Sequence, residues 1–160
     1  MNVALMSIIV LGALFALAFL TKRRFGVLGL ALAAGAMLSS LWAETLTPVI
    51  REAGVMVDVP PLATLVAVTL VLLPSVVLLF SGPSYSSILM RVVGAFSYAA
   101  LALALLIEPM GSALILEGRS VDVYQTLLDY RVYIVTAGLI FALFDILSTR
   151  TPKHRRSGKH

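Results

Sequence analysis

Chemistry inside a membrane needs ionisable or hydroxyl side chains, and the long apolar blocks of this sequence contain few of them. Asp145 is the one acid within such a block. A carboxylate in hydrocarbon is a candidate proton or cation site, because its charged form is costly to hold there. Asp145 nevertheless lies about one turn from the end of its block, five residues before Arg150, and within reach of Arg91 or the Lys22-Arg23-Arg24 cluster. An acid so placed can act as an interfacial anchor, the simpler reading. Hydroxyls at Ser7, Ser39, Thr69, Ser75, Ser97, Tyr98 and Thr136, with the helix-breaking Pro74, could line a polar path. Hydroxyls at this depth more commonly bond across helices or to backbone carbonyls, at about 0.6–2 kcal/mol each.

The usual catalytic constellations are missing from the sequence. It has no GxSxG, HExxH, GxxxxGK[ST] or CxxC, and no cysteine at all. Its two histidines, His154 and His160, sit in the polar tail, and a metal site needs more ligands than that pair supplies. The acids outside the apolar blocks are spread over two loops with no DxxD-like pair to hold a metal ion. The expectation is a protein without enzymatic activity, cofactor or metal, whose candidate functional residues are Asp145, Tyr98 and Pro74.

The elements that must position these residues follow from composition. At 160 residues, 60% hydrophobic and 12% charged, the chain carries about half the charge of an ordinary soluble domain. So small a chain cannot bury that much apolar surface against itself, and the bilayer must act as solvent. A span takes about 20 apolar residues. Five candidates occur, at about 3–20, 25–43, 62–81, 88–107 and 132–148, followed by a basic tail at 149–160. Pro60-Pro61 suits the start of the third. Pro74 is expected to kink it or loosen a turn, and Arg91, one turn into the fourth, can snorkel to water.

Charge placement orients these spans. With the N-terminus outside, nine of the twelve Lys and Arg fall on the cytoplasmic side: Lys22, Arg23, Arg24, Arg91 and five in the tail, including Arg155 and Arg156. Seven of the eight acids fall outside, and the eighth is Asp145. The positive-inside rule counts only the basic residues, and nine against three decides for N-terminus out and C-terminus in. Lys22, Arg23, Arg24, Arg91, Arg155 and Arg156 are therefore assigned to topology and to contact with anionic headgroups. The net charge of +4 resides mostly in the tail, so lipid is favoured over nucleic acid as its partner. Basic residues follow the first span rather than precede it, which points to a retained anchor, not a cleaved signal.

Two further elements are expected outside the spans. In SVDVYQTLLDYR, residues 120–131, the polar Asp122, Gln125, Thr126 and Asp129 share one helical face and the apolar residues the other. That pattern predicts a short interfacial amphipathic helix turning into the fifth span. PVIREAG predicts about two helical turns ending at Gly54. Small residues four apart, at Gly12/Ala16, Ala31/Gly35/Ser39, Ala63/Ala67, Ala95/Ala99 and Gly138/Ala142, allow close helix packing. The fold class expected is an all-α polytopic membrane bundle.

The order of parts resembles the colicin V production protein family of bacterial inner membranes over about residues 3–107. The matching features are an apolar span, the basic turn Lys22-Arg23-Arg24-Phe25-Gly26, and a glycine- and alanine-rich second span. Pro60-Pro61 before the third span and Arg91-Val92-Val93-Gly94 opening the fourth complete them. The family usually has four spans where five are read here. The resemblance implies a cytoplasmic-membrane protein linked to toxin secretion or envelope maintenance, with no catalytic residue to carry over. An accessory or assembly factor is the leading expectation, with a membrane-protein partner or a homo-oligomer. A small transporter or channel subunit with a polar path near Pro74, Tyr98 and Asp145 is the alternative.

Overall fold

In the computed structural model, residues 3–55, 57, 60–80, 85, 87–111 and 119–148 are described, with side chains from Ile8 onward and, in the last helix, from Val121. The basic tail, with Arg155 and Arg156, lies outside the described residues. Five helices follow in order: α1 Val3–Thr21, α2 Phe25–Glu52, α3 Leu62–Phe80, α4 Ile88–Gly111 and α5 Arg119–Leu147. Every regular element among the described residues is helical. In hydrocarbon a helix satisfies its own N–H and C=O groups, which is why apolar blocks of this length fold so. Four helices, α2 to α5, are long and apolar enough to cross a membrane, while in α1 the apolar stretch examined, Ile8–Thr21, is shorter.

The helices alternate in direction. Phe19 at the end of α1 meets Arg91 at the start of α4, and Asp145 near the end of α5 meets Gly26 at the start of α2. α2 and α4 form the centre, with α3 along α2, α1 along α4, and α5 against both. Among the described residues, α1 does not run close alongside α2, although only Lys22–Arg24 separates them. The core holds Phe25, Leu28 and Leu32 of α2, Val71 of α3, and Tyr98, Leu101 and Leu106 of α4, all essentially inaccessible.

Small residues set the helix separations, though not at every spaced pair. Ala31 and Gly35 are buried against α3, Ala95 and Ala99 lie in the core of α4, and Ala142 is buried on α5. Gly12 and Ala16 instead face outward, and nothing stands within 4 Å of where a Gly12 side chain would begin. The tightest approach of backbone to backbone is at Gly35, where a Cβ would collide with the Val71 carbonyl and come within 2.8 Å of the Leu70 carbonyl oxygen. Pro74 explains the site. Having no N–H, it leaves the Leu70 carbonyl without its usual donor four residues on, and the bare Gly35 backbone lets α2 lie directly over it. α3 continues through Pro74 to Phe80.

Two elements differ in extent from their predicted forms. The turns expected from PVIREAG are the last turns of α2 itself, which runs 28 residues through Pro48 before Gly54 takes a left-handed φ of 91°. Residues 120–131, expected as a separate interfacial helix, run straight into the apolar part of α5 as one 29-residue helix. No proline interrupts that stretch, so propagation, one hydrogen bond per added residue, continues without a break. At 1.5 Å per residue, α2 and α5 are each about 42–44 Å long, well beyond the ~30 Å of a hydrocarbon core.

Gly35 and Gly12 provide a matched test. Gly35→Ala should cost about 1–3 kcal/mol through overpacking against α3, whereas Gly12→Ala should gain up to about 1 kcal/mol from helix propensity. Thermal unfolding of both variants in detergent measures the difference.

Candidate functional site

The rim where α1, α3 and α5 end and α2 and α4 begin gathers Lys22, Arg23, Arg24 and Arg91 with Asp145. The first four N–H and last four C=O groups of any helix have no intrahelical partner, and most of these side chains supply one. Arg23 turns onto the end of α3, its Nε donating to the Leu79 carbonyl at 3.0 Å and its Nη2 to the Phe80 carbonyl at 3.0 Å. Arg91 donates from Nη2 to the Phe19 carbonyl at 2.9 Å, and its guanidinium lies 4.6 Å from the centre of the Phe19 ring. Sequence reasoning sends Arg91 toward water. The end of α1 offers a nearer partner, a carbonyl beyond the last helical donors.

The start of α2 has the opposite need. Its N-cap residue, Arg24, makes no side-chain capping bond. Two other elements provide the acceptors. The Asp145 carboxylate accepts from the Gly26 N–H at 2.9 Å, and the Tyr85 hydroxyl accepts from the Phe25 N–H at 3.1 Å. A carboxylate here also meets the positive end of the helix dipole. Arg24 stands 3.7 Å from Asp145 and 5.4 Å from the centre of the Tyr85 ring. Tyr85 is itself tied down, its N–H donating to the Lys22 carbonyl at 2.9 Å. Lys22 holds a φ of 58°, the left-handed conformation that turns the chain between α1 and α2. Burial, with the neighbouring Asp145 carboxylate adding to it, pushes the Tyr85 phenol up to about 12.

Tyr98 and Pro74 lie elsewhere. The Tyr98 and Ser75 hydroxyls are hydrogen bonded to each other at 3.0 Å in the core, and Ser75 also donates to the Leu72 carbonyl at 2.9 Å. Tyr98 thus links α4 to α3 one residue beyond Pro74. The three residues Asp145, Tyr98 and Pro74 form two separate arrangements, one at the rim and one in the core. Among the described residues, no three His, Cys, Asp or Glu side chains are grouped to hold a metal ion.

At the opposite end, Arg131 of α5 pairs with Glu108 of α4 at 2.5 Å. Both line a cleft of about 370 Å³ with Ser39, Ser40 and Glu44 of α2. A neighbouring cavity of about 440 Å³ shares Glu44 and Pro109 and adds Arg51 and Thr64.

No family model, curated protein or solved structure matches this chain. Its functional reading rests on its own geometry. Tyr85 is the rim residue that sequence reasoning passed over. It sits in a short connection outside every apolar block, where a lone aromatic among small polar residues (SGPSYSS) was the available signal.

Asp145→Ala should remove the acceptor for Gly26 and cost about 1–3 kcal/mol, while Asp145→Asn, which keeps a carbonyl oxygen, should cost less; chemical or thermal unfolding in detergent distinguishes them. The raised Tyr85 pKa gives a second expectation. Because the folded state holds the proton more tightly, this contribution is complete below pH 10 and is lost as pH rises through about 12. Stability measured across that window should lose this component in Tyr85→Phe.

Proposed function

We propose that the chain is a five-span protein of the bacterial cytoplasmic membrane, N-terminus outside and C-terminus inside, that works as a non-enzymatic accessory or assembly factor. Envelope maintenance or toxin secretion is the process it would serve. The observation that carries this reading is the use made of the rim charges. Arg23, Arg91 and Asp145 are each bonded to a backbone group at a helix end. Side chains held so are structural fixtures, and a carboxylate committed to a helix N–H is poorly placed to load and release an ion. The core hydroxyls support the same reading, since Tyr98 and Ser75 bond to each other.

The orientation is supported by the side each charge occupies. Lys22, Arg23, Arg24 and Arg91 gather at one end, while Glu44, Glu52, Glu108, Asp122 and Asp129 belong to the other, together with Arg51 and Arg131. Placing the basic end in the cytoplasm satisfies the positive-inside rule. A role through association is further supported by α5, which leaves Tyr130, Tyr133, Ile140, Phe144 and Leu147 exposed. Part of that surface meets lipid, and the remainder is available to another membrane protein.

A chain without cysteine allows single-cysteine mapping with no background. In intact cells an impermeant thiol reagent should label Gln125→Cys and leave Ser87→Cys unlabelled until the membrane is opened; the reverse pattern overturns the orientation. Purification in mild detergent should recover a membrane partner in fixed stoichiometry. A partnerless protein whose deletion leaves envelope permeability unchanged would sink the accessory role.

A further inference from the structure

The seam between α4 and α5 contains two cavities that share Phe141. One, of about 480 Å³, opens at the basic rim and is lined by Arg24, Tyr85, Ser87, Ser148 and the Asp145 carboxylate, with Phe144 on its apolar side. The other, of about 330 Å³, lies deeper and is bounded by Phe96, Ala100, Ile134, Ala137 and Gly138. Polar groups therefore stand at one end of the seam and apolar walls at the other. That is the order of parts in a phospholipid seen from headgroup to tail.

The dimensions agree. From Ser148 to Ile134 the seam runs about 21 Å along α5 at 1.5 Å per residue. One leaflet, headgroup region included, is about 20–22 Å thick. Charge agrees as well. Arg24 and Asp145 are the charged groups that line the cavity, the carboxylate accepting from the Gly26 N–H, and Lys22, Arg23 and Arg91 make the surrounding rim net positive.

Arg24 is the residue equipped to take the phosphate. A guanidinium carries five N–H donors. Among the described residues, those of Arg24 reach only the 3.7 Å approach to Asp145, beyond hydrogen-bond length, and the Tyr85 ring face. Arg23 and Arg91 are bonded to helix-end carbonyls, whereas Arg24 keeps the geometry for a bidentate phosphate contact. The Ser87 and Ser148 hydroxyls stand in the same cavity as further donors.

We propose that the α4–α5 seam binds one anionic phospholipid, its phosphate on Arg24 with Ser87 and Ser148, and one acyl chain along Ala137 and Gly138. A second copy of this chain is the less suited occupant, because a transmembrane helix would bring apolar surface to the polar half of the seam. The proposal rests on the chain being embedded in a membrane and not on its accessory role. Failure of the partner experiment therefore leaves it standing, and its own failure leaves that role untouched.

Native mass spectrometry of the detergent-solubilised full chain, supplied with phosphatidylglycerol, tests it. One lipid should be retained per chain, with at least tenfold weaker retention in Arg24→Gln and partial recovery in Arg24→Lys. Ala137→Trp fills the tail cavity without touching the rim, so it decides the matter even if Arg24→Gln fails to fold. It should also lose the lipid while keeping its helix content by circular dichroism. Inorganic phosphate at the same concentration should not displace the lipid. No retained lipid, wild-type retention by Ala137→Trp, displacement by inorganic phosphate, or a dimer that Ala137→Trp dissociates would each overturn the proposal.

Discussion

Everything in this bundle depends on satisfying helix ends at the edge of a medium that offers no hydrogen bonds. An unpaired backbone group in hydrocarbon costs several kcal/mol, more than most side-chain contacts return. The chain answers with side chains drawn from other helices and from the connections between them. Arg23 closes α3, Arg91 closes α1, and Asp145 and Tyr85 open α2. Each such bond crosses between elements, so the need to cap a terminus also fixes which helices lie together. α1 shows the consequence. It is held to α4 by Arg91 and the Phe19 ring and, among the described residues, does not run close alongside its sequence neighbour α2.

The same accounting of backbone groups explains the centre of the molecule. Pro74 removes a donor from α3 and leaves a carbonyl that a bulky neighbour would strand. Gly35 brings bare backbone against it instead, and the Ser75–Tyr98 bond secures α4 on the other side. Proline, glycine and the buried hydroxyl pair thus meet at one close-packed point where α2, α3 and α4 adjoin. Of the polar residues that first suggest a path through the membrane, Ser75 and Tyr98 are bonded to each other here.

Much of this was legible in the sequence, because apolar block length and charge position are direct expressions of the bilayer. The helix starts at Phe25, Leu62 and Ile88 follow from the basic turn, from Pro60-Pro61 and from the return of apolar residues. The small-residue spacing at Ala31/Gly35 and Ala95/Ala99 likewise marks real packing faces. What could not be read was extent and partner. Helix α2 continues past Ala43, and α5 begins well before Val132, because propagation needs only compatible residues and not apolar ones. Asp145 could be placed near basic neighbours, yet its bond to the Gly26 N–H depends on α5 crossing the start of α2, a relation that no local pattern encodes.

The two ends of the bundle follow different rules as a result. At the basic rim the connection from α1 to α2 is three residues long, and the helix ends are closed by charged side chains at short range. Such a rim has little freedom to move along the membrane normal, since a shift would pull guanidinium groups into hydrocarbon. At the opposite end α2 and α5 exceed the hydrocarbon thickness by about 12–14 Å each, and their excess carries Glu52, Asp122 and Asp129. The charged rim at one end and the charged excess of α2 and α5 at the other thus bound the apolar length of the bundle.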